Sequence, residues 1–421
     1  MAADALAISR RIYDRLVTRS GAPPPRVRAW DGTTWGPPDS RSTLVLNHPG
    51  SFRALMYPPS DLTAGEAYIY DDVDIEGDIF GVIGFGAGVA EGSGSGVSRI
   101  RITRDLRRLP DDHRRSAAAR PRISGRTHSR RRDRAAVTYH YDAGNDFYSL
   151  FLGETMAYSS AYFLDPMESL DTAQQRKLDL ICRKLELAPG MRFLDIGCGW
   201  GSLLVYAAAT YGVTGTGVTL SSQQAEFARR RAKELGVEDR VTVLEADYRE
   251  IRDEFDAVAS VGMFEHVGRN KLPEYFRRAR RLLAPGGQFL NHGITSRDRR
   301  RRRGRKQPTF VSTYVFPDSE LEPVGLVAGE AEGAGFELRD LESMRASYEQ
   351  TLRRWVANIE TNAAAAIELT NDRTYRTWRL YMAGSAFAFE RGIISVYQML
   401  LSDPARPWRY GRRRLLARDD V

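Results

Sequence analysis

Cysteine is scarce in this chain: Cys182 and Cys198 are the only two in 421 residues, too few for a disulfide framework. Cys182 shares a helical stripe with Leu178, Ile181 and Leu185, which marks it as core, and Cys198 lies inside a glycine turn. Long apolar runs are missing as well. No stretch reaches the roughly 18 apolar residues that a spanning helix needs, and the N-terminal segment has no signal-peptide run. A cytoplasmic protein is therefore expected. Acidic residues fall short of basic ones, 54 against 62, for a formal charge of +8. That imbalance predicts an anionic partner: nucleic acid, an acidic membrane surface or acidic small molecules. Much of the excess sits in Arg114 to Arg134 and Arg297 to Lys306. Such blocks are first of all solvated, self-repelling loops, and next candidates for docking on anionic phospholipid heads.

The most informative absence is a carboxylate. The run Met191-Arg-Phe-Leu-Asp-Ile-Gly-Cys-Gly-Trp-Gly-Ser202 reads as a short buried strand that breaks into glycines and reopens as a helix to Thr210. Gly197, Gly199 and Gly201 allow positive φ and close backbone approach where a ligand lies at the strand's carboxyl end. A dinucleotide site wants a ribose-binding acid about 20 residues further on. This chain has Val213-Thr-Gly-Thr-Gly-Val-Thr-Leu220 there instead. Its acid is Asp195, just before the glycines, which suits a cofactor whose amino-acid end carries an ammonium. That arrangement points to S-adenosylmethionine.

A chain of this length exceeds the usual size of one core, so more than one domain is expected. Residues 1–110 read as a small N-terminal α+β domain, with a helix over Leu6 to Leu16, strands at Ser42 to Leu46 and Ser51 to Met56, and a helix over Leu62 to Ile69. Residues 111–134 read as a basic linker. Residues 135–421 read as the second domain, in which a regular βα alternation runs through strands at Met191 to Ile196, Val213 to Val218, Val241 to Leu244, Phe255 to Val261 and Gln288 to Asn291. Asp171 to Glu186 is expected to be a helix capped through Asp171 and Gln174. Ala334 to Arg339 is expected to be a late antiparallel strand, and Tyr348 to Leu369 and Asn371 to Leu401 helices. The fold class is α/β: a doubly wound Rossmann-like methyltransferase sheet with a helical lid, plus the small N-terminal domain.

Several motifs occur in one order: His140-Tyr-Asp142 with Asn145-Asp-Phe-Tyr148, Tyr158-Ser-x-Ala-Tyr162, Leu194 to Gly201, Val218-Thr-Leu-Ser221, Met263-Phe-Glu-His-Val-Gly268 and Tyr348-x-x-Thr-Leu352. In these the chain resembles the cyclopropane-fatty-acyl-phospholipid synthases and mycolic acid cyclopropane synthases, over about Tyr139 to Leu401. The resemblance implies methyl transfer from S-adenosylmethionine to the cis double bond of an unsaturated phospholipid acyl chain. It also implies a bound bicarbonate that takes a proton from the resulting carbocation. Its implied holders are Glu265, His292, the backbone of Ile294 and Tyr348, with Ser160 beside the pocket. Taken singly, Glu265 also reads as a helix-capping carboxylate, and His292 and Tyr348 as core residues. The implied cofactor contacts are Tyr158, Ser159, Asp195, Gly197, Gly199, Gly201, Thr219, Leu220, Gln224, Asp247 and Tyr248. Gln224 also reads as half of a capping box with Ser221. No metal is implied. The dense aromatics serve equally as packing or as faces that stabilise a cation.

Two positions depart from the family, Ser160 and Ser385, where cysteine is common. The product stays open between a cyclopropane and a methylene branch, as in a related actinobacterial group making 10-methylene acyl chains. A homodimer and, for a methylene product, a partner reductase are further expectations. The protein is expected to sit peripherally on the inner face of the membrane. A methyltransferase acting on RNA or a small molecule is the reading from a different class. RNA recognition wants aromatics interleaved with basic residues, and here the two are segregated, so no nucleic-acid partner is expected.

Overall fold

A computed structural model describes residues 2–92, 96–115, 120, 125, 129, 131–135, 143–297 and 308–407. The His140-Tyr-Asp142 motif, the arginines at 298–303 and much of the basic segment 111–134 lie outside these residues. The chain forms two compact units. One comprises Met1–Arg122, Gly304–Pro317 and Ala363–Phe387, and the other Ile123–Arg303, Asp318–Asn362 and Ala388–Val421.

The larger unit is built on a seven-stranded sheet. Its strands are β5 (Arg192–Ile196), β6 (Thr214–Thr219), β7 (Val241–Glu245), β8 (Phe255–Val261), β9 (Leu283–Ser296), β10 (Glu337–Ser343) and β11 (Ile394–Ser402). Their order is β10-β11-β9-β8-β5-β6-β7. Strands β5 to β9 pair in parallel, while β11 runs antiparallel to both β9 and β10. Helices cover both faces, which is why β5 is buried at every residue after Arg192. Phe193 packs with Leu178, Ile181 and Leu204 on one face, and Leu194 and Ile196 pack with Phe276 and Phe289 on the other. The order reverses between β5 and β8, so the glycine turn after β5 sits at the topological switch point, where such sheets bind ligands.

The last two expected helices come out differently. Asn371 to Leu401 divides into helix Asp372–Glu390 and strand β11, because Gly392 adopts φ +61° and turns the chain. Tyr348 to Leu369 divides into Arg345–Thr361 and Ala363–Leu369. Helix Leu170–Lys184 is capped by Ser169, whose side chain accepts from Thr172 N, and not through Asp171. Gln174 is thereby released and donates to the carbonyls of Ala157 and Ser159.

The smaller unit carries a four-stranded sheet ordered β2-β1-β3-β4, from Thr34–Trp35, Arg26–Arg28, Ser42–Leu46 and Val73–Gly77. Ser51 to Met56, expected as a strand, is a short helix that buries Phe52 and Ala54. Gly81, Gly84, Gly86 and Gly88 all lie within helix Ile79–Glu91. Helix Asp372–Glu390 contributes Arg376 and Arg379, both buried, which donate to the carbonyls of Tyr68, Val73, Ile75 and Gly77. These charge-assisted bonds explain why a segment so late in the chain belongs to the N-terminal unit. Ser385 lies on this helix, in the smaller unit. Among the described residues no helix is long and apolar enough to cross a membrane.

Candidate functional site

The glycine turn has the expected backbone, with φ of +75°, +53° and +79° at Gly197, Gly199 and Gly201. Gly201 and Gly199 serve different ends. A β-carbon on Gly201 would meet that of Ala228 at 2.7 Å, so this glycine lets helix Ser222–Glu234 approach. A β-carbon on Gly199 would meet nothing within 4 Å, which leaves open space over the turn.

Asp195 is fully buried on β5 and is drawn up to about 7 by desolvation, against the opposing charge of Lys177. Lys177 is buried too, and desolvation lowers it to about 8. Its ammonium donates to Ser159 Oγ at 2.9 Å. Together Lys177 and Gln174 clamp the segment Ala157 to Ser159 from one side. From the other side Thr351 Oγ1 accepts from Ala161 N at 3.0 Å. Ser160 is wholly buried, and its hydroxyl donates to the Ala161 carbonyl at 2.8 Å.

Around this segment the aromatics form one cluster. The Tyr158 ring lies 5.8 Å from Tyr148 and 5.4 Å from Trp355, and Trp200 lies 4.9 Å from Tyr148. Tyr348 stands edge-on to Trp355 at 6.1 Å and against Phe389 at 4.7 Å.

At the end of β6, Thr219 Oγ1 donates to Gln224 Oε1 at 2.8 Å, and Ser221 caps the next helix by accepting from the Gln224 backbone. The Gln224 side chain therefore does not complete a capping box, and among the described residues its buried Nε2 has no partner. Leu220 is half-buried beside it. The Asp247 carboxylate is engaged on both oxygens by the Arg249 guanidinium. The neighbouring Tyr248 packs edge-on to Tyr275 at 5.9 Å.

A second group of polar atoms lies where β8 and β9 end. Glu265 occupies a 3-10 turn after β8, and its Oε1 accepts from Ile294 N at 2.7 Å. Burial pushes its carboxyl up to about 7. Among the described residues, Glu265 Oε2 and both ring nitrogens of His292 are buried and have no hydrogen-bond partner. Burial, and then the charges of Lys177 and Lys184, hold His292 down at about 3, so its ring is neutral. The helix bearing Tyr348 is tied to this region because Met344 N donates to Val396 O, and Val396 lies opposite Ile294 in the sheet.

Two residues here escape a reading by motif. Gln398, on β11, lies directly opposite His292 and is wholly buried, with both Oε1 and Nε2 unpartnered among the described residues. Assigning residues 371–401 to a helix hides it, because the helical period breaks its alignment with β9. Gly293 is the other: a β-carbon there would meet the Phe264 ring at 2.0 Å and Glu265 Oε1 at 3.1 Å. An isolated glycine in a strand is the signal for such close approach. Gly293→Ala is expected to cost about 1–3 kcal/mol through overpacking, measured by denaturant unfolding, and parental stability would mean that Phe264 moves aside freely.

Cys182 and Cys198 are buried and burial drives both thiols well up, so neither offers a thiolate. Among the described residues no cluster of His, Cys, Asp and Glu could hold a metal.

The family model of mycolic acid cyclopropane synthetase matches residues 128–399. A probable fatty acid methyltransferase from Pseudomonas putida is 37% identical over 385 residues, covering 90% of this chain and 92% of that protein. The cyclopropane-fatty-acyl-phospholipid synthase of Escherichia coli is 39% identical over 263 residues, 62% of this chain and 66% of that one. The crystal structure of mycolic acid cyclopropane synthase CmaA1 complexed with SAH and CTAB superposes with a TM-score of 0.60 at 34% identity, over 64% of this chain and 98% of that one. With the sheet order and the glycine turn at its switch point, these matches place the chain in the mycolic acid cyclopropane synthetase family of S-adenosylmethionine-dependent methyltransferases.

Proposed function

We propose that the protein adds the methyl carbon of S-adenosylmethionine across the cis double bond of an unsaturated phospholipid acyl chain and closes a cyclopropane. The observation that carries this reading is the set of buried, unpartnered polar atoms on Glu265, His292 and Gln398. Buried polar atoms are costly unless something bonds them. The neutral His292 ring offers one donor and one acceptor, the Gln398 amide offers both, and Glu265 accepts when ionised. A small oxyanion carrying its own proton matches that mixed set, and hydrogencarbonate is such an ion. The order of motifs and the relatives support the same reading.

When bound, the cofactor supplies an electrophilic methyl group to a double bond that is itself a weak nucleophile. For that, the Gly199 turn, Thr219 and the unpartnered Gln224 amide would hold the cofactor. Tyr158 and Ser159 would close over it from a segment fixed by Gln174 and Lys177. Asp195 would take the amino-acid ammonium, sharing its charge with Lys177. Asp247 is the least available of the expected contacts, since Arg249 engages both its oxygens. The Tyr148, Tyr158, Trp200 and Trp355 rings would face the carbocation left on the chain, where cation–π attraction stabilises charge that water would otherwise quench. Glu265, His292, Gln398 and the Ile294 amide would hold the base that removes a proton, with Tyr348 as a further donor. Ser160, whose hydroxyl is given to the Ala161 carbonyl, would stand beside this set in place of the family's cysteine. Without a reductase, a methylene branch remains the second product this chemistry allows.

The test is transfer of a labelled methyl group from S-adenosylmethionine into the acyl chains of monounsaturated phospholipid vesicles. Label in acyl chains supports the proposal, and label in RNA or in small molecules alone refutes it. The N-terminal domain would serve the lipid, and the enzyme would act peripherally on the cytoplasmic face. On anionic vesicles, binding is expected to weaken with salt and with Arg299 to Arg303 replaced by Ser, at roughly 1 kcal/mol per arginine near the surface. Equal sedimentation with neutral and anionic vesicles would sink this idea.

A further inference from the structure

On the face of the sheet covered by helix Leu272–Arg281 lies a cavity of about 370 Å³, lined by Tyr248, Arg249, Arg252, Glu274, Arg278 and Arg281. Four of these six residues carry positive charge. Arg249 is balanced by Asp247 and Asp133. Glu274, the one acid, is paired with Lys271 at 2.8 Å. Arg278 has no such balance among the described residues: its Nε and Nη2 are closed to solvent and bond to none of them. Desolvation works against its charge, and so do Arg252 and Arg281. A guanidinium nonetheless stays protonated, since its ordinary pKa lies several units above neutrality. Three like charges around one cleft, with two buried N–H groups idle, raise the energy of the folded chain unless an anion is bound.

We propose that the cleft formed by Arg252, Arg278 and Arg281 is a binding site for a phosphate group. The planar guanidinium fork matches the tetrahedral oxyanion with paired N–H donors, and several forks around one cleft favour a multiply charged ligand over chloride. Its volume falls in the range of small-ligand sites and admits a phosphate bearing an ester substituent. Two sources share this chemistry, a free phosphate ester and the phosphate of a lipid headgroup. The phosphate site stands independently of the acyl-chain reading, and only its lipid source rests on that reading.

The experiment titrates inorganic phosphate, and separately glycerol 3-phosphate, into the full-length protein by calorimetry, against sodium chloride at equal ionic strength. Saturable binding of phosphate is expected in the parent. Arg278→Leu is expected to weaken it roughly tenfold, the worth of a charge-assisted bond. The double replacement Arg252→Ser with Arg281→Ser changes two exposed side chains and guards against misfolding of the first variant. It is expected to weaken binding by a similar factor while S-adenosylmethionine binding is retained. Sedimentation with phosphatidylglycerol vesicles then separates the sources. A parallel loss in the variants assigns a lipid headgroup, and unchanged sedimentation with lost phosphate binding assigns a free ester. Either result supports the site. Parental binding no stronger than the chloride control, or parental affinity in both variants, overturns it, whether or not methyl transfer to acyl chains is observed.

Discussion

Glu265→Gln is expected to bind S-adenosylmethionine as tightly as the parent and to lose about a hundredfold or more in turnover, the usual weight of a group that governs proton transfer. The replacement keeps the shape that accepts from Ile294 N and removes the charge. Because burial raises this carboxyl to about 7, the ionised form that accepts a proton-bearing oxyanion accumulates only as pH rises through that value. Parental turnover at saturating S-adenosylmethionine should therefore climb across pH 6 to 8, roughly one unit either side of the midpoint, and that limb should vanish in the variant. Stability runs the opposite way. The folded chain holds the Glu265 proton more tightly than the unfolded chain, so this group favours folding at low pH and loses that contribution as pH rises from the unfolded pKa through about 7. Relative to the parent, Glu265→Gln should gain stability at pH 8. Parental turnover in the variant would reduce Glu265 to a structural carboxylate.

Gly199→Val should abolish cofactor binding, a loss on the order of a hundredfold or more by calorimetry, equivalent to about 3 kcal/mol. The turn leaves open space at the Gly199 β-carbon, and a side chain there would occupy what the proposal gives to the cofactor. Valine also dislikes φ of +53°. Gly199→Asn separates the two effects, because asparagine tolerates that conformation while still filling the space. Gly201→Ala supplies the contrast. Its β-carbon would press on Ala228, so it should lower stability before it lowers affinity. Retained affinity in Gly199→Asn would remove the turn from the cofactor site.

The parallel part of the sheet is legible in the sequence because buried strands and amphipathic helices alternate with distinct periods between Met191 and Asn291. The closing strand β11 is not. Its residues Ile394 to Ser402 follow a helix directly and are apolar on both faces, so neither period dominates. Missing β11 means missing Gln398, whose place opposite His292 exists only once the sheet is assembled. The clamp on Tyr158 and Ser159 is hidden for a similar reason. Gln174 imitates a cap in sequence, yet Ser169 takes that role and frees the amide to reach two carbonyls. Glu265, by contrast, is visible at the end of a strand, where function is expected in such sheets. Only folding shows that its carboxylate is buried and held by Ile294 N.

The most direct measurement is proton NMR of phospholipid purified after reaction with S-adenosylmethionine and a monounsaturated acyl chain. Counting label from a deuterated methyl group does not suffice, because ring closure and methylene formation each lose one hydrogen from the transferred carbon. Cyclopropyl protons, far upfield of the chain methylenes, are the expected result, following from a base held close to the cation by Glu265, His292 and Gln398. Vinylidene protons downfield, with none upfield, would contradict ring closure and direct attention to Ser160→Cys as the variant to restore it. An acyl chain with its double bond untouched would contradict methyl transfer to lipid altogether.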